Sequence, residues 1–73
     1  MTYSLPDYGL IAQRIKERRE AKGMSKEKLA ETIGKSTRFI NYVEIVEKYP
    51  SIRTLFRFAD ALDITPKFLI FGD

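Results

Sequence analysis

The seven residues from Ser36 to Tyr42 hold the densest group of recognition chemistry in the chain. Ser36, Thr37, Arg38, Asn41 and Tyr42 supply hydroxyl, guanidinium, amide and phenol groups, interrupted by apolar Phe39 and Ile40. These groups donate and accept hydrogen bonds; none is an activated nucleophile or base. Arg38 carries a planar fork of donors that matches a paired acceptor such as a carboxylate, a phosphate or the O6/N7 edge of guanine. Upstream lie Ser25, Lys26, Lys28 and Lys35, side chains suited to phosphate oxygens. From Arg14 to Arg38 the chain has nine Lys or Arg against four acids, whereas the remainder has four bases and six acids. A net charge of +3 is therefore concentrated in one stretch. Such a field suits a polyanionic partner, although the same lysines also serve to solvate helix surfaces.

Other chemistries are poorly served. Histidine and cysteine are both absent, which removes the commonest general base, the commonest zinc ligands and any disulfide. The ten carboxylates form no spaced cluster suited to a metal. With 73 residues the chain has room for one domain with a small core and little space for an enclosing pocket. Neither catalysis nor a cofactor nor a metal site is expected. No apolar run approaches the ~20 residues that cross a bilayer, so no membrane partner is expected either. Met1 to Pro6 lacks the basic-then-apolar pattern of a signal peptide, which makes a cytoplasmic address the expectation.

The elements that must position these groups all read as helices. Residues 1–8 form a flexible arm by this reading, and 9–73 a single domain. A first helix is expected from about Gly9 to Lys22, with Ile11 and Ile15 inward and Arg14, Lys16 and Arg18 outside, ended by Gly23. Ser25 caps a second helix whose Leu29, Ala30 and Ile33 follow core spacing. Gly34-Lys35 makes a turn, and Ser36 caps a third helix through about Glu44, with Ile40 and Val43 inward. Pro50-Ser51 opens a fourth, in which Ile52, Leu55, Phe58, Ala59 and Leu62 recur at core spacing. Thr65-Pro66 starts a short fifth helix packed by Phe68, Leu69 and Phe71. The result is a five-helix all-α domain.

Ala30-x-x-x-Gly34 is the punctuation of two helices meeting at a sharp angle: a small residue at the crossing, then a residue free to turn left-handed. The third helix then keeps one face in the core and leaves the other able to enter a DNA groove. Taken in register, Ile15-x-x-x-Arg19-x-x-x-Gly23-Met24-Ser25, Leu29-Ala30-x-x-x-Gly34, Ile40-x-x-Val43-Glu44, Pro50-Ser51-x-x-Thr54-Leu55 and Ala59-x-x-Leu62 resemble the lambda-repressor-like (Cro/C1, XRE) helix-turn-helix family. The likeness covers roughly residues 9–71. It implies a bacterial or phage transcriptional regulator that binds operators as a dimer.

The resemblance also distributes roles. Thr37, Arg38, Asn41 and Tyr42 become candidates for base edges, and Ser25, Lys26, Lys28, Lys35 and Ser36 for phosphates. Arg19 and Glu44 match a family ion pair that ties the first helix to the end of the recognition helix. Lys26 stands where many members have a glutamine that contacts phosphate and braces the recognition helix; a lysine reaches phosphate but makes no amide bridge. The chain departs most after Glu44, where Ile45-Val46-Glu47-Lys48-Tyr49 replaces a polar residue and glycine. Val46 enters a left-handed turn only at a cost, so the third helix is expected to run a turn longer. Phe39 has three open roles: a thymine-methyl contact, a dimer seam or partial burial.

Two functions follow. The first is a sequence-specific regulator, most often a repressor, that occupies a pseudo-palindromic double-stranded operator as a homodimer. Phe56, Phe68, Ile70 and Phe71 are the candidate dimer surface, being more apolar side chains than a small core needs. The alternative is a helix-turn-helix fold used for protein interaction, as an antirepressor or adaptor, motivated by Phe39, Ile45, Val46 and Glu47 near the expected DNA face.

Overall fold

Five short polar side chains start five helices. The computed structural model describes residues 5–73, with α1 at Tyr8–Ala21, α2 at Lys26–Ile33, α3 at Thr37–Glu44, α4 at Ile52–Ala61 and α5 at Pro66–Phe71. Asp7, Ser25, Ser36, Ser51 and Thr65 are the respective N-caps. Each accepts an N–H of the first turn that has no partner inside its helix. The Ser36 hydroxyl, for example, accepts from the Phe39 N–H at 3.1 Å. Because Asp7 caps and Tyr8 is helical, α1 reaches into the last residues of the expected arm. The part of that arm at residues 1–4 lies outside the described residues.

The first four helices also end alike. A left-handed residue follows each, at Gly23, Gly34, Val46 and Asp63, and two reversed hydrogen bonds close the end. After α3 these run from the Val46 N–H to Val43 O at 3.1 Å and from the Glu47 N–H to Tyr42 O at 2.7 Å. This doubled bond satisfies carbonyls that the helix leaves over. The expectation that α3 runs a turn longer is therefore overturned. Val46 sits at φ 61° despite its branched side chain, a conformation that costs roughly 1–2 kcal/mol. Tyr42 O collects a further bond from the Lys48 N–H at 3.1 Å, and buried Pro50 keeps the preceding residue out of helical geometry. Local bonding and the proline outweigh the preference of one side chain.

One apolar cluster joins all five helices, with Phe58, Ile11, Ile15, Leu29, Ile40, Leu62 and Leu69 fully buried. Burying side chains of this size stabilises by about 1.5–3 kcal/mol each. Three details differ from the spacing argument. Ile52 stands at the first position of α4, ahead of the part that enters the core, and is 62% exposed. Phe68 and Phe71 lie on the flanks of α5 and are 41% and 54% exposed, while Leu69 and Ile70 fill the inward position. Six residues carry too little periodicity to tell one face from the next.

Two arginines expected on the outer face of α1 turn back instead. Arg14 donates to Leu69 O at 3.2 Å and Ile70 O at 3.3 Å, and Arg18 donates to Leu62 O at 2.8 Å. They place cations on the unpaired carbonyls at the ends of α5 and α4, where the helix dipole is negative. Gly72 leaves room for the first of them, since a Cβ there would meet the Arg14 guanidinium at 2.7 Å. Lys22 pairs with Asp63 beside the end of α4 and holds that carboxyl below its usual range. No helix among the described residues is long and apolar enough to cross a membrane.

The left-handed Val46 makes a direct test. Val46→Gly should raise stability by about 1 kcal/mol, the relieved strain less the extra freedom of the unfolded glycine. For a domain of this size that is a rise of several degrees in Tm by calorimetry. An unchanged or lower Tm would mean that contacts of the valine outweigh its strain.

Candidate nucleic-acid interface

The surface in question is one side of α3, and its placement depends on a buried pair. Arg19 Nε donates to Glu44 Oε2 at 2.7 Å, and its NH2 group donates to Glu44 Oε1 at 3.1 Å. The remaining NH1 group donates to Met24 O at 2.9 Å. One guanidinium thus ties α1, the α1–α2 connection and the last residue of α3 together. The side chains are only 9% and 3% exposed, so the charges lie out of water and depend on each other. The Glu44 carboxylate raises the Arg19 pKa further above its ordinary value, and the cation is permanent at any working pH.

The second constraint is the α2–α3 turn. Ala30 is buried where the two helices approach, and Gly34 at φ 72° reverses the chain. With Ile40 and Val43 in the core, the helical step of about 100° per residue turns Arg38 to the middle of the open face. Thr37 and Arg38 are exposed, and Tyr42 is 41% exposed. Ile45, just beyond α3, shares this face and is 54% exposed.

Asn41 is half-buried, and its Oδ1 accepts a hydrogen bond from Lys26 Nζ at 2.8 Å. Lys26 therefore reaches α3 after all, supplying an ammonium-to-amide bond in place of an amide bridge. Ser25 and Ser36 act as caps, the former accepting from the Lys28 N–H at 3.0 Å. Their hydroxyls can meet a phosphate only as additional acceptors or donors. Lys28 and Lys35 are exposed.

Phe39 is half-buried with its ring centroid 6.4 Å from that of Phe58, nearly parallel to it. Lys35 Nζ and Lys48 Nζ lie 5.2 Å and 5.9 Å from the same centroid. Lys48, inside the segment that departs from the family pattern, is not among the residues expected at phosphates. Tyr49 is likewise engaged locally, stacked on Tyr8 at 4.8 Å, while the Tyr8 hydroxyl donates to Pro50 O at 3.2 Å.

The proposed dimer residues differ in exposure and in surroundings. Phe56 lines an open groove of about 430 Å³ on α4 with Ile52, Arg53, Arg57 and Asp60. Phe68 lies in a separate depression with Arg14, Glu17, Arg18 and Ala21. Phe71 is exposed, but Ile70 is 7% exposed and belongs to the core. It has little surface to lend to a seam, whereas Ile52 beside Phe56 is an accessible apolar side chain.

A family model for helix-turn-helix domains, HTH_3, matches residues 15–69. The chain belongs to this helix-turn-helix family. HTH_3 domains of the Cro/C1 type are DNA-binding transcription regulators, and solved structures agree with the fold. The P22 c2 repressor in complex with a synthetic operator is 30% identical, with a TM-score of 0.81 over 88% of this chain and 97% of that one. The restriction-modification controller protein C.AhdI from Aeromonas hydrophila is 36% identical, with a TM-score of 0.81 over 86% of this chain and 96% of that one. The biofilm master regulator SinR, a Bacillus subtilis protein, in complex with DNA is 35% identical, with a TM-score of 0.75 over 81% and 95%. No curated protein matches the sequence.

Removing the carboxylate from the buried pair should be severe for an HTH_3 domain of this size. Glu44→Ala leaves Arg19 unpaired in the interior and should cost about 3 kcal/mol, well above the ~0–1 kcal/mol of an exposed pair. Urea denaturation measures it; a loss below 1 kcal/mol would mean that Arg19 finds water or another partner.

Proposed function

We infer that this domain is a sequence-specific regulator that lays α3 in the major groove of a pseudo-palindromic operator and binds it as a homodimer. The observation that carries the reading is the open face of α3. Arg38 stands at its centre, and Asn41 is held beside it by Lys26. Arg38 is the side chain there with the fork that fits guanine O6 and N7. Thr37 can offer its methyl to thymine, and the Tyr42 hydroxyl reaches toward a base edge or sugar. Lys26, Lys28 and Lys35 bring cations to the backbone phosphates, with Ser25 and Ser36 at the helix starts behind them. The P22 c2 repressor and SinR, whose structures hold operator or other DNA, support this use of the fold.

For the second copy, α4 is the favoured surface. Ile52 and Phe56 are 62% and 53% exposed and line one groove, flanked by Arg53, Arg57 and Asp60. Across a two-fold axis such a surface faces itself, so cations of one copy can meet Asp60 of the other. Half-sites would then lie about 34 Å apart on one side of the duplex.

A second reading keeps one specific observation on its side. Ile45 is 54% exposed on the open face of α3, where a purely DNA-directed surface would be polar. An adaptor that binds a protein through this face would use it.

Selection from a random duplex pool at low salt separates the two. A two-fold-symmetric motif is expected among the bound sequences; recovery of unselected DNA alone, or none, would favour the protein partner. On the selected site Arg38→Ala should cost ~1–3 kcal/mol and relax one base step. Equal loss on random DNA would assign Arg38 to phosphate. Phe56→Lys should lower the self-association seen by light scattering, and a wild-type chain that stays monomeric at high concentration would remove the α4 seam.

A further inference from the structure

Phe39 is an aromatic residue on a helix otherwise divided between core and polar face, and base readout gives it no role. Its ring lies nearly parallel to that of Phe58, whose side chain is fully buried, and so packs against the core. Two lysines from different segments converge on it. Lys35 precedes α3 by two residues, and Lys48 follows it in the α3–α4 connection. Both ammoniums lie within 6 Å of the ring centroid, the range in which a cation is attracted to an aromatic face.

Neither lysine is spent on a carboxylate. The ion pairs among the described residues are Arg19–Glu44 and Lys22–Asp63. Glu47 precedes Lys48 and is exposed without joining such a pair. Two like charges held near one ring repel each other, and an anion placed between them relieves that repulsion.

Position decides which anion. Lys26 meets α3 at Asn41, and two residues along the helix amount to about 160° around its axis the other way. Phe39 therefore marks the flank of α3 opposite Lys26. A helix lying in a major groove has a phosphate ridge on each side. Lys26 and Lys28 face one ridge; the lysines at Phe39 face the other.

The geometry points to Phe39 as a positioning residue that holds Lys35 and Lys48 as a two-pronged clamp on backbone phosphates of double-stranded DNA, across α3 from Lys26. This deepens the DNA-binding reading above and rests on it. The ring touches no phosphate itself. It limits the freedom of two long side chains before DNA arrives, so less is lost on binding.

The test is a double-mutant cycle read against salt. Duplex affinity is measured between 50 and 200 mM salt for the native chain, Lys35→Ala, Lys48→Ala, the double lysine variant, and each of these with Phe39→Leu. Each lysine removed should flatten the slope of log K against log salt by about one. Phe39→Leu keeps an apolar side chain of somewhat smaller volume and all the charges but loses the ring face, and should weaken binding about two- to fivefold per lysine served. Phe39→Tyr should restore it. The decisive readout is that Phe39→Leu has no further effect once both lysines are gone. If it weakens binding equally in that background, Phe39 acts through packing or a base and the clamp is wrong. Steep native salt dependence with unmoved slopes in the lysine variants would overturn the clamp alone. A native chain that binds no duplex at low salt would overturn the clamp together with the DNA-binding reading.

Discussion

A guanidinium closed away from water against a carboxylate holds the frame of this domain together. Arg19 satisfies three acceptors on two different segments, two of them on Glu44 and one on the Met24 carbonyl. A bidentate pair fixes orientation as well as distance. Because Glu44 is the last residue of α3 and Met24 lies just before α2, the pair sets the angle at which both motif helices leave α1. The α2–α3 turn, the inward Ile40 and Val43, and the outward Arg38 all follow from that angle. The apolar core supplies more of the stability, but apolar contacts are non-directional. Orientation has to come from groups with geometry.

The basic segment divides its labour. Arg14, Arg18, Arg19 and Lys22 are spent on helix carbonyls, on Glu44 and on Asp63. Lys26, Lys28, Lys35 and Arg38 stay toward the open side of the motif. A local excess of positive charge therefore overstates the field presented to a partner. Counting charges along a sequence assigns them all to the surface, whereas long stems allow arginine heads to reach back onto the fold.

Much of the architecture was legible because it is written locally. Ser25, Ser36, Ser51 and Thr65 cap the helices they announce, and Gly23 and Gly34 end two of them. Such signals involve residues within one turn of each other. The misreadings share the opposite character. Arg14 and Arg18 find partners 44 to 56 residues away, a distance at which no spacing rule operates. Val46 ends α3 against its own preference because Tyr42 O and Pro50 act together. Ile70, expected at the surface, lies in the core because α5 is too short for its periodicity to separate one face from the next. The exposure of Arg38 and the Arg19–Glu44 pair could be read from position in the motif. The Lys26–Asn41 bond and the convergence of Lys48 on Phe39 could not, since both depend on side-chain paths between separate segments.

The abrupt stop after Glu44 also decides what keeps α3 helical. It leaves α3 with eight residues, far fewer than the ~12–15 at which a helix alone becomes even marginally persistent in water. The order of α3 is lent to it by the frame and is not intrinsic. Loosening of the contacts that hold α3 to the frame therefore loosens the helix with them. Cut free of the domain, these eight residues would not be expected to hold the same face together.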